Sequence, residues 1–119
     1  MILALAHVYP AAVAVAPRLV ESLYGVAPGG SAALLLQHRG ALFLAVALAA
    51  GLASFDPAAR RAASLTVGVS VISYLAIYVR AGAPLGPLRS IAWVDVVLLL
   101  PLAIACRDAW WGANSSGAA

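Results

Sequence analysis

Four long apolar stretches alternate with short polar breaks along the chain. The first runs from Ile2 to Leu23 and carries Pro10 and Pro17 inside it. It ends at Tyr24-Gly25-Val26-Ala27-Pro28-Gly29-Gly30, a string of turn formers. The second follows Ser31, a helix-capping residue type, and reaches Ser54. Asp56-Pro57 then sets a capping residue before a proline at a first helical position, and the third stretch extends to Val79. Gly82, Pro84, Gly86 and Pro87 punctuate the next break, and Ser90 stands as a cap before the fourth stretch, which ends near Arg107. Each stretch approaches the ~20 residues that cross a hydrocarbon core of ~30 Å. Backbone groups in lipid must bond within their own segment, so the spans are predicted as helices over about 2–23, 31–54, 57–79 and 90–107. Breaks this short make sequential helices antiparallel neighbours. The expected fold is therefore all-α, an integral-membrane, antiparallel up-down four-helix transmembrane bundle over 1–109, followed by a flexible C-terminal tail over 110–119.

Composition agrees. Hydrophobic residues make up 65% of the 119 residues and charged residues 9%, against about half and about a quarter in a soluble domain. A soluble domain this small has no interior large enough to hide that much apolar surface. Gly40, Ala47, Gly51 and Gly68 are natural points of close helix approach. Trp93, Trp110 and Trp111 suit the membrane interface.

Charge changes the picture little. The net charge is +3, carried by arginines scattered between apolar runs rather than gathered on one face, so nucleic acid is not an expected partner. Arg60, Arg61 and Arg107 fall on one side of the expected bundle and Arg18, Arg80 and Arg89 on the other. Arg60-Arg61 is the densest pair, and its side is expected to be cytoplasmic. Ala14-Val15-Ala16 mimics a cleavage site, but no Lys or Arg precedes Arg18, so the first stretch is expected to be a retained helix. Cys106 is the sole cysteine, which excludes an internal disulfide or a cysteine-built metal site. No phosphate loop, GxSxG, HExxH or CxxC occurs, and neither a metal nor a cofactor is expected.

Polar residues inside a membrane are costly and become functional candidates. His38 and Arg39 lie ~10 Å into the second helix and Asp95 ~7 Å into the fourth. These two helices start on the side where the first ends with Glu21 and Tyr24 and the third with Tyr74 and Tyr78. One half of the bundle is thus expected to gather them, with His38, Asp95 and Glu21 as acid–base candidates. Arg39, Tyr24, Tyr74, Tyr78, Gln37 and Trp93 are the candidates for holding a ligand. An Arg39–Asp95 pair would equally serve as structural glue between helices, and Tyr78 as an interface residue. His7 is expected alone in the opposite half, too far from His38 for a shared metal.

The pattern Glu21-x-x-Tyr24-Gly25, then Leu36-Gln37-His38-Arg39-Gly40-Ala41-Leu42-Phe43, then Val94-Asp95-Val96-Val97 resembles small bacterial four-span membrane proteins of the DoxX-like group. The resemblance implies four spans in a bacterial inner membrane and singles out Glu21, Tyr24, His38, Arg39 and Asp95; it implies no reaction. A soluble adenylyltransferase label attached to some members finds no nucleotide-binding loop here.

The expected partners are membrane lipids, a small hydrophobic or amphipathic ligand such as a quinone, isoprenoid, sterol-like or aromatic compound, and a second copy of the chain meeting its Ala-rich faces. Cofactor-independent isomerisation or cyclisation is the least demanding chemistry for such a cluster, with His38 and Asp95 shuttling a proton. The alternative expectation is a non-catalytic accessory subunit of a membrane complex. A small multidrug-type exporter needs an acid midway along the first helix, where this chain carries Tyr9 and Pro10.

Overall fold

The computed structural model describes residues 1–112, and every regular element in them is helical. Helix α1 covers Ile2–Ala11 and tightens into a 3-10 turn at Ala12–Ala14. Helix α2 is short, Leu19–Tyr24, and α3 is long, Gly30–Leu52. A 3-10 turn at Pro57–Ala59 leads into α4, Arg60–Arg80, and α5 spans Pro87–Trp111. Three helical segments, Gly30–Leu52, Pro57–Arg80 and Pro87–Trp111, are long and apolar enough to cross a membrane.

The first apolar stretch departs from expectation. Instead of one helix over 2–23, it breaks between Ala14 and Leu19. Pro17 has no N–H to give to the preceding turn, and the chain turns there through Ala16 N–H donating to the Ala12 carbonyl (2.9 Å) and Leu19 N–H to the Ala16 carbonyl (2.9 Å). Pro10 and Pro101, by contrast, sit inside α1 and α5 without ending them.

Two helix starts also differ. Helix α3 begins at Gly30 behind Gly29 with no side-chain cap, so Ser31 lies inside it. Helix α5 begins at Pro87, whose ring presets the helical φ, which places Ser90 one turn in. The Asp56 cap forms as expected, its carboxylate accepting from the Ala58 N–H at 2.9 Å. Trp110 and Trp111 complete α5 and Gly112 follows as its C-cap, rather than opening a tail; residues 113–119 of the expected tail lie outside the described residues.

Contacts between helices run in reversed order along the paired segments. From α1 to α3, the Met1 amino group donates to Ser54 Oγ (3.0 Å), the His7 ring meets that of Phe43 at a tilt of 52° with centroids 5.8 Å apart, and the Pro10–Ala14 backbone lies against Gly40. From α4 to α5, Arg61 Nε donates to the Ala109 carbonyl (3.0 Å) and Tyr74 Oη to the Leu88 carbonyl (2.9 Å). Ala4, Ala50, Val67, Val71 and Leu102 form one buried cluster; Val13, Val20, Tyr24 and Ala33 form a second around the broken helix. Of the small residues expected at close approaches, Gly40 and Ala47 are buried, whereas Gly51 and Gly68 have open space beside them.

Candidate functional site

Arg39 is the centre from which the site is built. It lies nine residues into α3 (from Gly30), ~14 Å along the axis. Its guanidinium stands over three aromatic rings: Phe43 at 5.1 Å, Tyr74 at 5.3 Å and Tyr24 at 6.0 Å to the centroid. Phe43 is one turn further along α3, on the same face. Tyr74 comes from α4. Tyr24 is there because of the helix break. Had the helix continued past Ala14, which opposes Gly40, Tyr24 would stand ~15 Å further along. The turn at Pro17 instead folds α2 back, burying Tyr24 beneath Arg39.

On one side of Arg39 is a chamber of about 180 Å³ between α1, α2, α3 and α5, with His7, Tyr24, Arg39, Phe43, Asp95 and Leu98 among its walls. Asp95 is half-buried and faces this chamber from α5. Arg39 and Asp95 share a wall, yet no salt bridge closes between them among the described residues. On the other side is a cleft of about 420 Å³ between α3 and α4, bounded by Arg39, Leu42, Ser70, Ser73, Tyr74 and Ile77, with Tyr78 nearby.

The structure brings Arg39, Tyr24 and Asp95 together as expected, and sets Tyr74 and Tyr78 on the cleft side of Arg39. The Tyr78 hydroxyl donates to the Pro84 carbonyl at 3.0 Å and its ring stacks on Tyr74 at 6.2 Å. His38 does not join them. It is exposed and borders neither space, because a step of about 100° per residue that turns Arg39 inward turns its neighbour outward. The expected His38–Asp95 shuttle is therefore not assembled. Glu21 is exposed on α2 and forms no ion pair with Arg39. Gln37 is half-buried outside both spaces. Trp93 is 60% exposed and lines a separate groove of α4 and α5 beside Arg89.

The imidazole of the chamber is His7, which the sequence reading put in the opposite half. It is 4% exposed, and its Nδ1 donates to the Leu3 carbonyl at 2.8 Å. A carbonyl only accepts, so Nδ1 carries a proton, and in the neutral ring Nε2 is the acceptor. Phe43 and Tyr9 are further lining residues that were missed. The signal for Phe43 was present, as an aromatic four residues after Arg39; the signal for His7 was Pro17, which shortens the first helix.

Chemically, the chamber offers a carboxylate, a guanidinium and an imidazole acceptor within apolar walls. Among the described residues no group of three His, Cys, Asp or Glu is placed to hold a metal. No family model, curated protein or solved structure matches the chain.

Proposed function

We propose that the chain is an integral membrane protein of the bacterial inner membrane, folded as an antiparallel up-down four-helix bundle of the DoxX-like kind, that binds a small hydrophobic or amphipathic molecule in the chamber between Arg39 and Asp95. Three helices long and apolar enough to cross a membrane, with Leu, Val and Ile exposed along their outer faces, support the membrane reading.

One observation carries the ligand: Arg39 and Asp95 face a common cavity without closing on each other. An ionised pair left apart at this depth costs a few kcal/mol or more. A molecule with a hydroxyl between them satisfies both, its oxygen accepting from Arg39 and its proton donated to Asp95. About 180 Å³ suits a ring-sized group, since an apolar cavity of ~150 Å³ already takes benzene. If the protein is an enzyme, Asp95 moves a proton between two positions of the ligand while Arg39 holds its oxygen, and His7 Nε2 accepts a hydrogen bond from the ligand.

The test is extraction. The protein purified in an uncharged detergent is extracted with organic solvent, and the extract is compared by mass spectrometry with those of Asp95→Asn and Leu98→Phe, the latter filling the chamber. A small molecule present with the wild type and lost from both variants supports the reading. Identical extracts from all three overturn it.

A further inference from the structure

The α3–α4 cleft differs in charge from the chamber. Arg39 borders both, but the cleft has no acidic side chain in its lining. Arg39 makes no hydrogen bond and no ion pair among the described residues, and its protein contacts are with the faces of aromatic rings. None of its nitrogens is both sealed and unsatisfied. Its fork of N–H donors therefore reaches open space while the ring faces hold its plane. Ser70, on the facing helix, is a second donor whose hydroxyl has no hydrogen-bond partner among the described residues; Ser73 spends its hydroxyl on the Ser70 carbonyl, and Tyr74 on that of Leu88. Away from Arg39 the walls are Leu42, Val46, Ile77 and Leu88. About 420 Å³ falls within the range of small-molecule sites.

A cation with free donors at one end, hydrocarbon walls beyond, and no acidic side chain in the cleft lining describe a complementary molecule. We propose that the α3–α4 cleft binds a single-chain amphiphile with an anionic head, a carboxylate or a phosphate monoester, the head on Arg39 and Ser70 and the chain along Leu42, Val46 and Ile77. This second site is distinct from the Asp95 chamber and shares with it only Arg39 and Phe43. The planar fork matches both head groups, and hydrocarbon around it strengthens the pairing relative to water. The two sources of such a head are a free fatty acid and a lysophospholipid.

The experiment measures thermal stabilisation and binding by titration calorimetry on the full chain in dodecyl maltoside. The probes are laurate, lauroyl lysophosphatidic acid, dodecanol and dodecyltrimethylammonium. Laurate or the lysolipid is expected to bind at least tenfold more tightly than dodecanol, with the cation weakest; the tighter of the two anions identifies the source. Arg39→Gln is expected to erase the preference for anions. Ile77→Trp, at an exposed position in the cleft lining and outside the chamber, is expected to weaken the anion at least fivefold. The proposal is overturned if dodecanol matches the anions, or if Ile77→Trp leaves anion affinity within twofold. The second criterion stands even where Arg39→Gln does not fold.

Discussion

Gly40 packs so tightly on the first helix that a β-carbon there would stand 2.8 Å from the Ala14 backbone nitrogen and 3.3 Å from the Pro10 carbonyl oxygen. Both are backbone atoms, so the clash cannot be relieved by a side chain swinging away. Gly40→Ala must push α1 from α3, and overpacking of this kind costs about 1–3 kcal/mol, more than the ~1 kcal/mol of helix propensity that alanine gains. Gly51 in α3 and Gly68 in α4 have nothing among the described residues within 4 Å of an added β-carbon. Gly51→Ala and Gly68→Ala are expected to stabilise by about 0.5–1 kcal/mol each. Denaturant unfolding in detergent micelles would show the opposite signs; equal effects at all three positions would disprove the close approach.

The α4–α5 connection is tied by tyrosines rather than by its loop. Tyr74 reaches the Leu88 carbonyl at the start of α5, and Tyr78 reaches the Pro84 carbonyl in the loop. Tyr74→Phe and Tyr78→Phe keep the stacked rings and delete one hydrogen bond each, so each is expected to lose about 0.5–1.5 kcal/mol. Amide hydrogen exchange would then quicken in the first turn of α5 before elsewhere. An unchanged exchange pattern in Tyr74→Phe would mean that the Leu88 contact contributes nothing.

Long apolar runs bounded by Gly, Pro and Asp made most of the helices readable. Asp56-Pro57 marked a real cap, and the expected starts of the last three helices lie within three residues of the observed ones. What could not be read was rotation about each axis. A helix meant for lipid is apolar all round, so no polar stripe marks which side faces its neighbours. Whether His38 or Arg39 points inward is then a matter of one residue's turn, and the sequence offers no pattern to decide it. The other failure was local. Pro10, Pro17 and Pro101 look alike in sequence, yet only Pro17 coincides with a break, where α2 can bury Val20 and Tyr24 against Val13 and Ala33. That tertiary gain, invisible from a single segment, moved Tyr24 beneath Arg39 and left His7 on the chamber wall.

Arg60 and Arg61 begin α4, where the helix dipole disfavours cations. Their partners explain the placement. Arg60 Nε donates to the Ala53 carbonyl behind α3 at 3.3 Å, and Arg61 Nε to the Ala109 carbonyl near the end of α5 at 3.0 Å, with its guanidinium 5.4 Å from the Trp110 ring. Each caps the negative end of a neighbouring helix. Arg61→Gln is expected to cost about 0.5–1.5 kcal/mol and Arg60→Gln less, since its bond is longer and exposed. The double variant has a further outcome. In the proposed up-down bundle it leaves Arg107 alone against Arg18, Arg80 and Arg89 on the other side, so C-terminal reporter fusions are expected to become mixed or inverted in orientation. Unaltered reporter orientation would separate the caps from any part in topology.

The two histidines give the sharpest contrast. His7 is buried, bonded to the Leu3 carbonyl and tilted against the Phe43 ring, whereas His38 is exposed on α3. His7→Ala removes a hydrogen bond and leaves a void on the chamber wall, so it is expected to destabilise by about 2–4 kcal/mol. His38→Ala is a surface change and should stay within about 0.5 kcal/mol. His7→Gln tests the site apart from stability. Glutamine restores a donor for Leu3 but does not reproduce the imidazole acceptor, so the molecule extracted with the wild type should fall while the fold persists. His38→Gln should leave that molecule unchanged. If instead His38→Gln lost it and His7→Gln kept it, the imidazole that serves the ligand would be the exposed one, and α3 would have to turn by about 100° from the orientation described.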